Sequence, residues 1–351
     1  MPDNNATITL TKEELSNLVS DFVVYALQGL AIFVCNGLIF LALYGHHVLR
    51  RKKEYVLLAF LGLTNALNGF AFFSAGLGRV YLIKSGKGGD KVTRWDCLLT
   101  PWNIGWILWE QTYGPLLMAI SVDRFISVAW PLHYLGLTLQ YVYTVLAVVC
   151  TPTVISVGVM CYQLFEYRAG TPDRPRICYT EYVYTESHYK YVYAQSIATT
   201  FGSVLIYVLV MAVLCRKNPI APNNGSHNNQ NLRRQRRLTA TLGICALFVY
   251  AFYVLPVIVK VTALTDDSED TSKNSMLAKL IPVIGMAINI GPISNLLIYM
   301  TRHHDIKLAV KYLFKCSQVS PVEIQEAVQA DQVITVEMTS RKSMSHNPPR
   351  D

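Results

Sequence analysis

Residues 116–134 read LLMAISVDRFISVAWPLHY, a hydrocarbon-like run that breaks abruptly into charge. The apolar stretch through Ile120 ends in Asp123-Arg124-Phe125, and Pro131-Leu132 follows after one further amphipathic turn. Charge at a bilayer boundary is costly unless it is paired or hydrated, so an acid and an arginine side by side there need a reason. Two readings are open. Arg124 snorkels to the headgroups, or it is a switch, a charge held at the inner end of a helix until another helix moves and frees it.

Composition places that helix in a membrane protein. Of 351 residues, 52% are hydrophobic and only 15% charged, where a soluble chain carries about a quarter charged. Residues 1–20 are polar and acidic, without the basic start and short apolar core of a cleavable signal peptide, so the first apolar helix is expected to direct insertion. The eight cysteines are scattered and show no CxxC metal spacing.

Apolar stretches of about 20 residues suffice to cross a bilayer, and seven are found, at 21–45, 55–83, 98–126, 139–165, 191–215, 238–263 and 277–300. The loops at 46–54, 127–138 and 216–237 carry Arg50, Arg51, Lys52, Lys53, Arg233, Arg234, Arg236 and Arg237 with few acids, whereas an opposite loop carries Asp266, Asp267, Glu269 and Asp270. Cytoplasmic loops are enriched in Lys and Arg, which predicts the N-terminus outside and the C-terminus inside. Asn5-Ala6-Thr7 is then a usable glycosylation sequon. After the seventh span, 303–315 puts Ile306, Val310, Leu313 and Phe314 on one face among lysines, as in a short helix lying on the inner membrane surface. Cys316 at its end is a candidate for palmitoylation or a plain cytosolic thiol. The expected organisation is an outer arm (1–20), a bundle (21–300), an amphipathic eighth helix (301–316) and a disordered cytoplasmic tail (317–351).

Four further sites give the spans a family likeness. Span one carries Asn36-Gly37, span two Leu61 and Asn65, and span three ends in Asp123-Arg124-Phe125 with Pro131, Leu132 and Tyr134 beyond. Span seven ends Asn295-Leu296-Leu297-Ile298-Tyr299. Across residues 20–316 these resemble the rhodopsin-like (class A) G-protein-coupled receptors, with Asn65 in place of the usual Asp and Leu296 in place of the proline of NPxxY. The segment from Asn68-Gly69 to Gly78-Arg79 also resembles nematode serpentine chemoreceptors of the SX type. The resemblance implies an all-α membrane protein, a seven-transmembrane helix bundle in the plasma membrane, with a ligand outside and a heterotrimeric G protein inside. Arrestin and a receptor kinase are further implied partners, membrane lipid is the surroundings, and nucleic acid is not expected. In this reading Arg124 leaves Asp123 for Tyr207, Tyr299 and the G protein, which also touches Pro131 and Leu132. The resemblance also implies a disulfide between Cys97, just outside span three, and Cys178 in the second outer loop.

The departures narrow the ligand. Trp106 stands where amine receptors keep an aspartate, so a biogenic amine is disfavoured. The CWxP motif reads Tyr253-Val254-Leu255-Pro256, Thr199 replaces the proline of span five, span four lacks its tryptophan, and the body of span seven has no retinal-binding lysine. Glu110 is the one carboxylate deep in span three. It is either a functional acid, as intramembrane acids are by default, or a structural group beside Gln111. If ionised it favours a cationic ligand group, with Trp106, Tyr113 and Tyr253 nearby as aromatic partners or simple packing. The loop 178–193, CYTEYVYTESHYKYVY, alternates like a hairpin strand and tilts the reading toward a neuropeptide, with a small chemosensory molecule as the alternative. Asn65 and Tyr113 replace the acid and small hydroxyl of the family's sodium pocket, so Asn36, Asn65 and Asn295 are expected to form a neutral, water-linked network. His46-His47 and His303-His304 read as solvated loop residues, and no cofactor or metal is expected. A transporter is the remote rival, weakened by the lack of an internal repeat. No nucleophile elbow, phosphate loop or metal triad suggests an enzyme.

Overall fold

The computed structural model of the chain describes residues 12–216, 289–302 and 304–314, with the single positions 243, 248, 251 and 252. Apart from those single positions, the expected span six lies outside the described residues, as do the outer part of span seven, Tyr253, Arg236, Asn5, Cys316 and the tail 317–351.

The described chain is helical almost throughout. α1 (Lys12–Gly45) turns through the short α2 (His47–Arg50) into α3 (Lys53–Lys84). A two-residue strand β1 (Lys91–Val92) and α4 (Arg94–Leu98) lead to α5 (Pro101–Ala129), which passes through α6 (Pro131–Gly136) into α7 (Leu139–Phe165). Beyond β2 (Arg174–Pro175), antiparallel to β1, come α8 (Glu186–Arg216), α9 (Ile290–Arg302) and α10 (His304–Phe314). Among the described residues, α1, α3, α7 and α8 are long and apolar enough to cross a membrane. α5, with 29 residues, reaches about 43 Å at 1.5 Å per residue and carries Glu110, Asp123 and Arg124.

Local chemistry sets the helix ends. Pro101 opens α5 and Pro131 opens α6, positions where the missing N–H costs nothing and φ is already helical. A capping box joins Thr93 and Asp96 at the start of α4. α1 begins at Lys12, so the expected arm of 1–20 is already helical over its second half. A polar turn outside the hydrocarbon can extend a helix without cost to its apolar body.

Small residues bring the helices together. A Cβ on Gly29 would sit 2.3 Å from Phe73 N, and one on Gly69 would sit 2.3 Å from Phe33 N, so α1 and α3 meet backbone to backbone. Lipid tails are as apolar as leucine, and close approach through such residues is how membrane helices gain dispersion energy. Gly114 of α5 plays the same part against α8, where its Cβ would meet Thr199 Oγ1 at 2.4 Å. Pro115 adds a polar tie. Proline cannot donate to the carbonyl four residues back, which frees Gln111 O. That oxygen accepts from Thr153 Oγ1 of α7 at 3.3 Å and from Gln195 Nε2 of α8 at 3.2 Å. One missing backbone bond thus fastens three helices.

Three expectations are corrected. Residues 178–193 do not form a hairpin strand: Thr180–Tyr182 is a 3-10 turn and α8 begins at Glu186. The alternation of Tyr and Val was misread because Val183 and Tyr184 are buried as a plug, while the only described ladder lies earlier, at Arg174 and Pro175. α10 is also more than a surface helix. Ile306, Ala309 and Val310 are buried, while Phe314 is exposed. His46, expected to be solvated, is buried and its Nε2 lies 3.0 Å from Ala309 O, and Tyr55 Oη donates to Asp305 at 3.0 Å. α10 is pinned to the ends of α1 and α3.

Candidate functional site

At one end of α5, Asp123 and Arg124 are both buried and form an ion pair, with Arg124 Nε 3.0 Å from Asp123 Oδ2 and Nη2 on the same oxygen. Arg124 Nη2 also donates to Tyr134 Oη at 2.8 Å, and Tyr134 Oη donates to Asp123 Oδ2 at 3.3 Å. A buried pair costs least when its remaining groups are bonded, and Tyr134 of α6 bonds both charges, although Asp123 Oδ1 has no partner among the described residues. Burial pushes the Tyr134 phenol well above its ordinary pKa, so the ring keeps the proton it donates. Snorkelling is therefore excluded as the disposition of Arg124, whose side chain points into protein. Its side chain bonds Asp123 and Tyr134 rather than Tyr207 or Tyr299, which are buried in the apolar cluster that holds Leu116 and Ile120. Beside the lock, Leu132 is 83% exposed on α6, with Pro131 half-buried behind it.

The opposite end is built around Cys178. It is disulfide-bonded to Cys97 with the two Cα atoms 5.2 Å apart, within bridging range. Its φ of +44° is a conformation that a residue with a side chain rarely takes. The carbonyl is held there by Arg79 Nη2 at 3.0 Å, Trp102 Nε1 at 3.2 Å and Asn103 Nδ2 at 3.3 Å. Arg79 Nε donates to Ile177 O at 3.0 Å, and its guanidinium lies over Tyr179, Trp106 and Phe22 at 4.6, 5.3 and 5.4 Å. Arg79 is buried, and no ion pair to it occurs among the described residues. Backbone oxygens and three π faces replace the counter-ion.

Glu110 is half-buried and accepts from Tyr184 Oη of the loop plug at 2.8 Å. Tyr184 stacks on His188, 5.7 Å away, and Tyr189 meets Tyr193 at a tilt, 4.4 Å between ring centroids. Trp106 meets Phe72 edge-on and carries Arg79 over its ring, so the cation slot expected there for a ligand already holds a protein cation. Tyr113 is buried against Trp109, deeper than the plug.

Between the two ends, the asparagines do not bond one another. Asn36 Nδ2 donates to Ile32 O and, across to α9, to Pro292 O at 2.9 Å. Asn65 Oδ1 receives only a long contact from Trp109 Nε1 at 3.5 Å, and Asn295 is half-buried. Among the described residues, Asn36 Oδ1, Asn65 Nδ2 and both amide atoms of Asn68 have no partner, the state in which buried amides take internal water.

Arg79, Tyr184 and Lys53, whose ammonium reaches α6, were not singled out from sequence. For Arg79 a signal existed, since any cation inside an apolar span is a functional candidate. For Tyr184 none did, because the loop's path decides its contact. Among the described residues, no group of His, Cys, Asp and Glu is placed to hold a metal.

No curated protein matches the chain closely enough to be named a relative. Residues 113–299, more than half of the chain, match the family described as 7 transmembrane receptor (rhodopsin family). With its membrane-length helices and the buried Asp123-Arg124 pair at the end of α5, the chain belongs to the rhodopsin family of seven-transmembrane, G-protein-coupled receptors.

Proposed function

We propose that the chain is a plasma-membrane receptor, N-terminus outside, that binds an extracellular neuropeptide and activates a heterotrimeric G protein. The observation that carries this reading is the buried, mutually bonded cluster of Asp123, Arg124 and Tyr134 at the end of α5. Ligand binding shifts the population toward the state in which Arg124 leaves Asp123 and turns to Tyr207, Tyr299 and the G protein. Leu132, largely exposed beside the lock, and Pro131 add to that inner contact. Asn295 then serves as the hinge side of Tyr299, and arrestin and a receptor kinase act on the same inner face.

The ligand site proposed lies where Glu110 and Trp106 of α5 meet the loop plug, with Tyr113 deeper along the same helix and Tyr253 as the span-six contribution. Five loop and α8 tyrosines (179, 182, 184, 189 and 193) offer rigid amphipathic surface of the kind peptides bind. A small chemosensory molecule, as the likeness to nematode SX receptors suggests, is the second reading. It is favoured by the burial of Cys178, Val183 and Tyr184, which makes this part of the loop a packed plug. A screen of peptide and small-molecule libraries, read through a promiscuous G-protein reporter, tests the proposal. A hit whose potency falls at least tenfold in Glu110→Gln supports both receptor and site. Robust surface expression with flux of a solute and no G-protein response to any ligand would contradict it.

A further inference from the structure

Lys53 is the first residue of α3. A cation there opposes its own helix dipole, whose N-terminal end is positive. The side chain instead leaves α3 and reaches α6. Its Nζ donates to Tyr134 O and, at 2.8 Å, to Leu137 O, the last carbonyls of α6. Those are groups a short helix leaves without partners, at the end where a cation is favoured. The same ammonium lies 4.1 Å from the centroid of the Tyr134 ring. Arg124 lies 5.7 Å from the same centroid and bonds Tyr134 Oη. Tyr134 is thus held by two cations, Lys53 on its backbone and ring and Arg124 on its hydroxyl.

We infer that Lys53 is a positioning residue for the switch: it fixes α6 so that Tyr134 stays on the Asp123-Arg124 pair. This rests on the coupling reading above but concerns a residue outside the family's motif. Six residues make too short a helix to hold itself in water. Its N-terminal side is tied to α5 through the Trp130 N–H to Ile126 O and the Tyr134 N–H to Trp130 O, both 3.0 Å. Beyond Tyr134 the chain turns to Leu137, whose N–H bonds Tyr134 O at 3.2 Å, so Lys53 binds the point where α6 ends. Removing the ammonium takes the cation from the Tyr134 carbonyl and ring and leaves the hydroxyl as the side chain's hydrogen-bonded anchor. The ring then leaves for part of the time, and Asp123 and Arg124 lose the group that bonds both.

The test uses the full-length chain in nanodiscs, with 3-fluorotyrosine installed at position 134, and in parallel receptor membranes supplied with a promiscuous G protein. In wild type the 19F signal is expected to be a single, buried resonance. In Lys53→Met a second, solvent-exposed resonance appears and ligand-free nucleotide exchange rises about three- to tenfold. Lys53→Arg, which keeps a donor and a cation, restores both readouts. In a Tyr134→Phe background, Lys53→Met changes exchange by less than about half as much as it does alone, because both act through one contact. An unchanged 19F spectrum in correctly inserted Lys53→Met overturns the inference. So does a rise in exchange that is fully retained in the Tyr134→Phe background. Release of Tyr134 without exchange from any variant, wild type included, supports the positioning role and contradicts the coupling reading instead.

Discussion

At the scale of single residues, the unusual investment is Arg79. A buried guanidinium without a carboxylate is stable only while its loop stays in place, because Ile177 O and Cys178 O supply its acceptors. Arg79→Met is expected to destabilise the ligand-free protein by about 1–3 kcal/mol, the cost of leaving buried carbonyls short of a donor. Thermal unfolding in nanodiscs checks this, and faster reduction of the Cys97–Cys178 bond should accompany it. An unaltered midpoint and reduction rate would show that the disulfide alone holds the loop. Asp123 and Arg124 were legible in the sequence because charge next to an apolar run is conspicuous. Tyr184 and the cage around Arg79 were not, since both depend on a loop folding back over 70 residues or more in sequence.

At the scale of elements, hydrophobic runs located the helices well. The expected 139–165 is the helix Leu139–Phe165, and 55–83 lies within Lys53–Lys84. Ends were less legible: α8 starts at Glu186 instead of 191, because polar and aromatic residues outside hydrocarbon extend a helix without adding to hydropathy. The same blindness hid the packing. Nothing in the apolar count of α1 and α3 marks Gly29 and Gly69 as their contact, yet a Cβ at either would strike backbone. Gly69→Val should therefore abolish stable folding, with loss of surface expression, whereas Gly37→Ala, where no atom lies within 4 Å of the added carbon, should be silent. The tie at Gln111 O makes a finer prediction. Gln195→Leu removes one of two side-chain donors to that carbonyl and should cost about 1 kcal/mol, a modest fall in unfolding temperature with expression retained.

At the scale of the whole molecule, the proposed function needs a balance between two arrangements of Arg124, and the inner end of span six bears on it. Many family members hold span six closed with an acid opposite the motif arginine, but the sequence has no acid from 216 to 265, and Arg236 stands at that position. The missing attraction is worth about 1 kcal/mol in a wetted cleft. That is enough to raise a minor active state several-fold. Ligand-free signalling is therefore expected, and Arg236→Glu should lower it. With Asn65 in place of the family's acid, that position lacks the formal charge that would coordinate sodium, so agonist affinity in sodium and in a bulky organic cation at equal ionic strength should agree. The central claim is that the Asp123-Arg124-Tyr134 lock is the switch. It is tested most directly by ligand-free nucleotide exchange on a promiscuous G protein, comparing wild type, Asp123→Asn and Arg124→Ala at matched surface expression. The account predicts a several-fold rise for Asp123→Asn and a fall to the level of empty membranes for Arg124→Ala; all three receptors giving the same exchange would contradict it.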